Sequence, residues 1–343
     1  MDHIEDIRSR VRLNEHNVEN VHSTDFPGTY EGYDDDWDFE KFKQGFQINI
    51  IHLDEELMEF DMVGVDAAIA NAFRRILLAE VPTMAIEKVF INNNTSIIQD
   101  EVLAHRLGLI PINADPRLFE FRNEGDLEGS SEDTIEFQLK IKCSKSPKAP
   151  KEATDPDEMY INHKVLTKDL KWIPVGNQAD MFKEGDLRPV HDDILIAKMR
   201  PGQEIDLSVH CVKGIGKDHA KFSPVATASY RLLPDIVLTR PVEGEAARRL
   251  QGCFSPGVIE LDEVKGKVVA RVAHPRRDTC SREVFRHPDL KECVKLGRIR
   301  NHFIFSVEST GALAPDVLVK EAVQVLMKKC RSFLSELSDS AKT

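Results

Sequence analysis

Hydrophobic positions along the chain fall into stretches of period two and stretches of helical period. Met58, Phe60 and Met62 alternate with Glu59 and Asp61 across Leu57–Val63, which predicts a strand with one buried and one wet face. Gln47–Leu53 is apolar enough to be its partner strand, with Asp54, Glu55 and Glu56 as the turn between them. The period then changes. After Asp66, a good N-cap, apolar residues at 69, 72, 73, 76 and 77 predict a helix that Pro82 closes. A short apolar strand, Ile86–Ile91, follows.

The middle of the chain reads as a separate unit. Ile135, Phe137, Leu139 and Ile141 alternate strictly with polar residues, as do Ile205, Leu207, Val209 and Cys211. The flanking stretches Arg122–Asp133 and Ser144–Glu158 are rich in charge, Ser, Gly and Pro and read as loops. Beyond residue 225 strands resume: Val258–Val264 and Lys267–Ala273 flank a Lys265-Gly266 turn, and Phe303, Phe305 and Val307 alternate again. The most periodic element comes last. After Pro315 and Asp316, apolar residues at 319, 323, 326, 330, 333 and 337 keep a four-three rhythm over nearly three heptads. That is the spacing of a helix packed along another helix, although a helix lying on its own sheet shows it too.

Length and charge narrow the picture. At 343 residues the chain is long enough for about two domains, and 41% hydrophobic with 30% charged residues is a globular balance. The net charge of −12 is a poor start for a free-standing nucleic-acid binder. Apolar runs are far too short for a membrane span, and Asp2, Glu5 and Asp6 stand where a signal peptide wants positive charge. The chain therefore reads as an intracellular, soluble protein. Its charge is uneven. Residues 1–46 hold 12 acidic and 5 basic residues, yet Phe26, Tyr30, Tyr33, Trp37, Phe39, Phe42 and Phe46 crowd the second half. A solvated acidic tail is one reading, but disordered tails are poor in aromatics, so an arm that orders by laying its aromatics on a neighbouring surface is the reading we adopt. Residues 265–300 hold 11 basic and 4 acidic residues, with Phe285 as the lone aromatic and no stacking ladder for single strands.

Candidate chemistry is thin. Six cysteines at 143, 211, 253, 280, 293 and 330 lie at least 13 residues apart, so no CxxC pair or zinc-ribbon spacing exists. Tyr33-Asp34-Asp35-Asp36 is acidic, but consecutive carboxylates on an arm do not converge easily on one ion, and His191-Asp192-Asp193 lacks a matching cluster. No GxSxG or other nucleophile signature is present. Lys213-Gly-Ile-Gly-Lys217-Asp-His219-Ala-Lys221 has two glycines and three lysines that suit a phosphate, but the P-loop pattern is missing. A tight basic loop docking on an acidic partner surface needs the same residues, and is the reading we adopt. A phosphate-ligand enzyme using this loop is the alternative.

Four blocks of sequence resemble one family. Asp66-Ala-Ala-Ile-Ala-Asn-Ala-Phe-Arg-Arg-Ile-Leu-Leu-Ala-Glu-Val-Pro82 is similar to the alpha motif of cellular RNA polymerases. Leu103-Ala-His-Arg-Leu-Gly-Leu-Ile-Pro-Ile112, Gly216-Lys-Asp-His-Ala-Lys-Phe-Ser-Pro224 and Val307-Glu-Ser-Thr-Gly311 with the last helix follow in the family's order. Within that family the chain most resembles the alpha-like subunits shared by polymerases I and III, the equivalent subunit of another RNA polymerase class being the nearer alternative. Asn20-Val-His-Ser-Thr-Asp-Phe-Pro27 is similar to their N-terminal extension, and the clustered metal-binding cysteines of other branches are missing from the inserted region.

The resemblance implies an α+β fold: an RNA polymerase alpha-type dimerisation domain, a sheet plus two pairing helices, interrupted by an inserted mainly-β domain. The implied division is an arm at 1–46, a split dimerisation domain at 47–92 and 225–338, an insert at 93–224 and a tail at 339–343. It also implies a non-catalytic assembly subunit of the nucleus, in nucleolus and nucleoplasm, without a cofactor. Such a subunit pairs with a small alpha-like subunit and receives the second-largest and largest subunits, with small zinc-binding subunits nearby. DNA is then met only through the complex, and no membrane is involved. Pairing falls to Ile69, Ala72, Phe73, Arg74, Arg75, Ile76 and Leu77 on the first helix. Val319, Val323, Leu326, Cys330, Phe333 and Leu337 are its counterparts on the last. Subunit docking falls to Lys213, Gly214, Gly216, Lys217, His219 and Lys221, and His105 and Arg106 mark a further family block. Burying such apolar side chains contributes roughly 1.5–3 kcal/mol each against an association cost of about 4–15 kcal/mol, so two helices make a stable pair where one barely suffices.

Overall fold

The structure, a computed structural model, describes every residue except 1, 2, 22–29, 31, 33–35, 124, 126, 127, 148, 151, 153, 184 and 341–343. Phe26 and Tyr33 of the arm, most of the block Asn20–Pro27, the acidic run 33–35 and the end of the tail therefore lie outside the described residues. The chain divides into two compact units. One comprises Met1–Ile51, Glu59–Asn71 and Ser229–Ser306, the other His52–Met58, Ala72–Ala228 and Val307–Thr343.

In the first unit a short helix α1 (His3–Ser9) leads into β1 (Arg10–Leu13) and β2 (Val18–Glu19). A second short helix, α2 (Phe39–Gly45), precedes the hairpin β3 (Gln47–Leu53) and β4 (Leu57–Val63). Met58, Phe60 and Met62 are buried as their alternation predicts, but the opposite face is not the wet one expected, since Asp61 is buried and Glu59 half-buried. Their turn is fixed by Asp54, whose carboxylate accepts from the backbone N–H groups of Glu56 and Leu57 at 2.9 and 2.7 Å. The Leu57 N–H, the His52 ring and the Glu56 N–H together hold that carboxyl down at about 2. Phe60 stacks on Phe305 at 5.1 Å, and Tyr230 packs against Phe303 and Phe305 at 5.3 Å. The buried Asp61 carboxylate accepts from the Arg276 guanidinium and lies 3.1 Å from the His302 ring. Gly64 ends β4 at φ +79°, where a Cβ would lie 2.3 Å from the Gly45 carbonyl oxygen, so only glycine fits.

Of the arm's described aromatics, Tyr30 is half-buried with the Arg8 guanidinium 5.9 Å over its ring. Trp37 and Phe39 are 76% and 57% exposed, and the ring contacts of Trp37 and Phe42 run to aromatics of the arm itself, as Phe42 stacks on Phe46 at 5.4 Å. What holds residues 3–21 is strand addition. β1 pairs antiparallel with the long strand Val294–Ser309, Arg10 opposite Ile299 and Leu13 opposite Leu296. Leu13 is buried in a core with Ile236, Leu250, Val258 and Val294. The basic stretch supplies the rest: Arg300 donates to the carbonyls of Asn20 and Ile7, Arg282 to that of Asn14 at 3.1 Å, and Lys291 pairs with Glu15. Other cations of 265–300 are likewise spent inside the unit, Arg271 on Glu260 and Asp262 and Lys267 on Glu243. Leu13→Ala is therefore expected to cost about 2–3 kcal/mol in a thermal melt, while Val18→Ala, at a position 37% exposed, stays within about 0.5 kcal/mol. A freely solvated arm would give no effect for either.

The second unit is built on a four-stranded antiparallel sheet. It contains β5 (Thr83–Asn94), β6 (Thr134–Lys142), β7 (Lys171–Ile173) and β8 (Glu204–Gly214), in the order β7-β6-β8-β5. The two alternating stretches lie side by side, Leu207 opposite Leu139 and Val209 opposite Phe137, and their apolar faces are buried apart from the half-buried Ile141. β5 runs well beyond the predicted Ile86–Ile91, because even its polar end pairs with β8, Asn94 opposite Ile205. Helix α3 (Asp100–Gly108) covers this core with Leu103 and Leu107. The loop read over Ser144–Glu158 contains a two-residue strand, Ser144–Lys145, and a one-turn helix, Pro156–Met159.

Candidate subunit interface

Two helices bear the residues expected to pair. Ala67–Ala79 begins where the Asp66 carboxylate accepts from the Ala68 N–H at 2.7 Å. Ala70, Ile76 and Leu77 are buried. Ala72, Phe73 and Arg74 are half-buried, and Ile69 and Arg75 are exposed, Ile69 to 43%. The expected stripe is thus split between the chain's own core and solvent.

The last helix, Pro315–Ser340, is 26 residues long. Its first turns face inward: Pro315, Leu318 and Ala322 are buried, and Val319 and Leu326 half-buried. Lys329 fixes it with two hydrogen bonds to the Glu80 carboxylate at 2.7 and 2.9 Å, and Glu321 meets Arg117 at 3.7 Å. From Met327 to Ser340 every residue is exposed, a rod of about 20 Å at 1.5 Å per residue. Along it stand Met327 (45% exposed), Phe333 (63%), Leu334 (64%) and Leu337 (51%). Val323 and Cys330, the remaining members of the expected seam, are exposed as well. Apolar side chains this large and this contiguous mark a surface made to be covered. Met327 and Leu334 fall outside the four-three rhythm, which is why the periodicity passes over them.

The basic loop has a structural task. Lys217 N–H donates to the Ala79 carbonyl at 2.8 Å, closing the C-terminus of the helix Ala67–Ala79. Gly216 passes so close that a Cβ would lie 2.2 Å from the Leu78 carbonyl oxygen, and Gly214 lies flat against the Phe222 ring. Lys213 donates to the Phe119 carbonyl at 2.8 Å and lies over the Phe121 ring, and burial pushes its ammonium down from the ordinary lysine value. Lys221 pairs with Glu87 at 2.5 Å. Lys217 and His219 remain exposed, with the His219 ring accepting from the Lys221 N–H at 3.1 Å and lying 6.3 Å from His105. Arg106 donates to the carbonyls of Ile196 and Leu195 at 3.1 and 2.7 Å and so ties helix Asp100–Gly108 to the strand Leu195–Lys198.

Among the described residues no three His, Cys, Asp or Glu side chains gather as a metal site requires. Cys143 and Cys211 are buried, and burial pushes both thiols up, away from the thiolate form that binds metals or attacks. No helix among the described residues is long and apolar enough to cross a membrane.

Comparison with known proteins gives one consistent picture. Residues 59–330 match the family described as the RNA polymerase Rpb3/Rpb11 dimerisation domain. The chain is 69% identical to the human DNA-directed RNA polymerases I and III subunit RPAC1, over 97% of this chain and 96% of that one. It is 50% identical to the subunit of the same name from Saccharomyces cerevisiae, over 93% of this chain and 96% of the relative. Similarity to the Dictyostelium discoideum RNA polymerase II subunit rpb3 is lower, at 31% identity over 85% and 95%.

Proposed function

Because the chain belongs to the RNA polymerase Rpb3/Rpb11 dimerisation-domain family, we propose that it is the non-catalytic alpha-like assembly subunit of RNA polymerases I and III. It works in the nucleus, in synthesis of ribosomal RNA precursors, 5S RNA and tRNA, and its partners are polymerase subunits. In finer detail, it heterodimerises with the small alpha-like subunit and presents the pair to the second-largest and largest subunits, with small zinc-binding subunits nearby and DNA met only through the complex. The nucleolus is where its polymerase I share acts. The division into a split dimerisation domain, 47–92 and 225–338, and an insert, 93–224, is part of the same proposal.

The observation that carries this reading is the bare distal half of the last helix. Phe333, Leu334 and Leu337 stand in water on a chain whose family is defined by dimerisation. Membership of the polymerase I and III branch rests on the difference between 69% and 31% identity to relatives of the two kinds. A phosphate-ligand enzyme is disfavoured by the loop itself, since Lys213 and Lys221 are held by Phe119 and Glu87. Co-expression with the small alpha-like subunit, followed by size and mass analysis, tests the proposal. A stable one-to-one complex is expected, and a well-behaved monomer that ignores the partner would overturn it.

A further inference from the structure

The main sheet of the first unit runs in the order β2-β1, then the strand Val294–Ser309, then β4-β3, and its two ends are treated differently. At one end the chain folds its own arm over the long strand and finishes with β2, a two-residue strand that includes Glu19. In the second unit, the strand Leu195–Lys198 has two carbonyls taken up by the Arg106 guanidinium. Short edges, charged edges and plugged edges are how proteins keep a strand from pairing with strangers.

β3 has none of these devices. Its seven residues, Gln47-Ile-Asn-Ile-Ile-His-Leu53, include no Lys, Arg, Asp, Glu or Pro, and all seven are exposed. Side chains alternate along a strand, so Ile48 and Ile50 lie on one face and Ile51 and Leu53 on the other. Ile48, Ile50, Ile51 and Leu53 are 47%, 58%, 51% and 46% exposed. A sheet with one wet face leaves one of these pairs bare, whereas both are bare here. Apolar content predicts this run as the partner of β4, which it is, but says nothing of what covers the outer edge.

We propose that β3, whose outer edge pairs with no strand among the described residues, is a second surface engaged by the small alpha-like subunit, which lays an extended apolar segment along that edge and completes the sheet by strand addition. This rests on the pairing reading above. β3 joins β4 through a three-residue turn, and β4 opens the segment that matches the dimerisation family at residue 59, so the edge is continuous with the pairing domain while lying outside the matched residues. Its chemistry, apolar on both faces and uncharged, calls for an uncharged apolar strand.

Amide hydrogen exchange on the co-purified heterodimer and on the isolated full chain tests this. Amides within 47–53 that exchange freely in the isolated chain are expected to slow at least about 100-fold in the heterodimer, with Ile48→Lys plus Ile50→Lys weakening pairing by about the same factor. If the helix 327–340 gains protection and 47–53 does not, the proposal for β3 is overturned and the pairing reading stands. If no complex forms, both fall together. Protection of 47–53 that rises with concentration in the isolated chain would assign the edge to a second copy instead and overturn the proposed occupant. Should the isolated chain leave solution, the parent and lysine heterodimers supply the same comparison.

Discussion

A chain carrying Phe333→Asp and Leu337→Asp is expected to fold and melt as the parent does, and yet to elute without the small alpha-like subunit. In the free chain these side chains are 63% and 51% exposed, so replacing them removes no buried contact and shifts stability by no more than about 0.5 kcal/mol each. In a pair each would bury apolar surface worth roughly 1.5–3 kcal/mol, and each carboxylate adds the cost of leaving water. The losses together weaken pairing at least about 100-fold. Leu318→Ala is the contrasting change. Leu318 is fully buried, so truncation costs about 2–5 kcal/mol of the chain's own stability. Thermal melts beside size-exclusion runs with mass detection separate the two behaviours. Pairing that survives the double aspartate variant would move the interface off the distal helix.

The second large effect is expected from a single methyl group. In Gly216→Ala the new Cβ meets the Leu78 carbonyl oxygen at 2.2 Å and the Ala79 Cα at 3.1 Å, both backbone atoms that cannot swing aside. The loop has to withdraw, and the 2.8 Å bond from the Lys217 N–H to the Ala79 carbonyl goes with it. Overpacking and the lost bond together come to about 2–4 kcal/mol, a fall of roughly 5 °C or more in melting temperature. Lys217→Ala, at an exposed side chain two atoms of backbone away from the clash, leaves the melt unchanged. If Lys217→Ala still weakens capture of the second-largest subunit, the loop docks through its exposed tip while its glycines serve the fold. An unshifted melt for Gly216→Ala would remove the clamp from the account.

These contrasts show what the amino-acid pattern makes legible. Local periodicity identifies the β3–β4 hairpin, the helix after Asp66, the paired stretches 135–141 and 205–211 and the long final helix, because each is a matter of spacing within a few turns or residues. The arm escapes it. Arg10-Val-Arg-Leu13 is too short and too charged to announce a strand, and its partner lies nearly 300 residues away in the chain. The acidic arm and the basic stretch look like two unrelated solvated surfaces in sequence, and the fold ties them together, Lys291 to the Glu15 carboxylate and Arg282 and Arg300 to arm carbonyls. The same limit applies to the site. The four-three rhythm names Phe333 and Leu337 but says nothing of where along the helix the chain's own core stops, and lysines at 213 and 221 that suggest an open basic loop are committed to Phe119 and Glu87.

The exposed end of the final helix also bears on how much of the chain a cell keeps. A copy without its partner displays Phe333, Leu334 and Leu337 on a rigid rod, the kind of surface that chaperones and degradation machinery recognise and that drives self-association. A copy paired as proposed would hide them. On the pairing proposed above, surplus chain would be marked for removal by its own geometry.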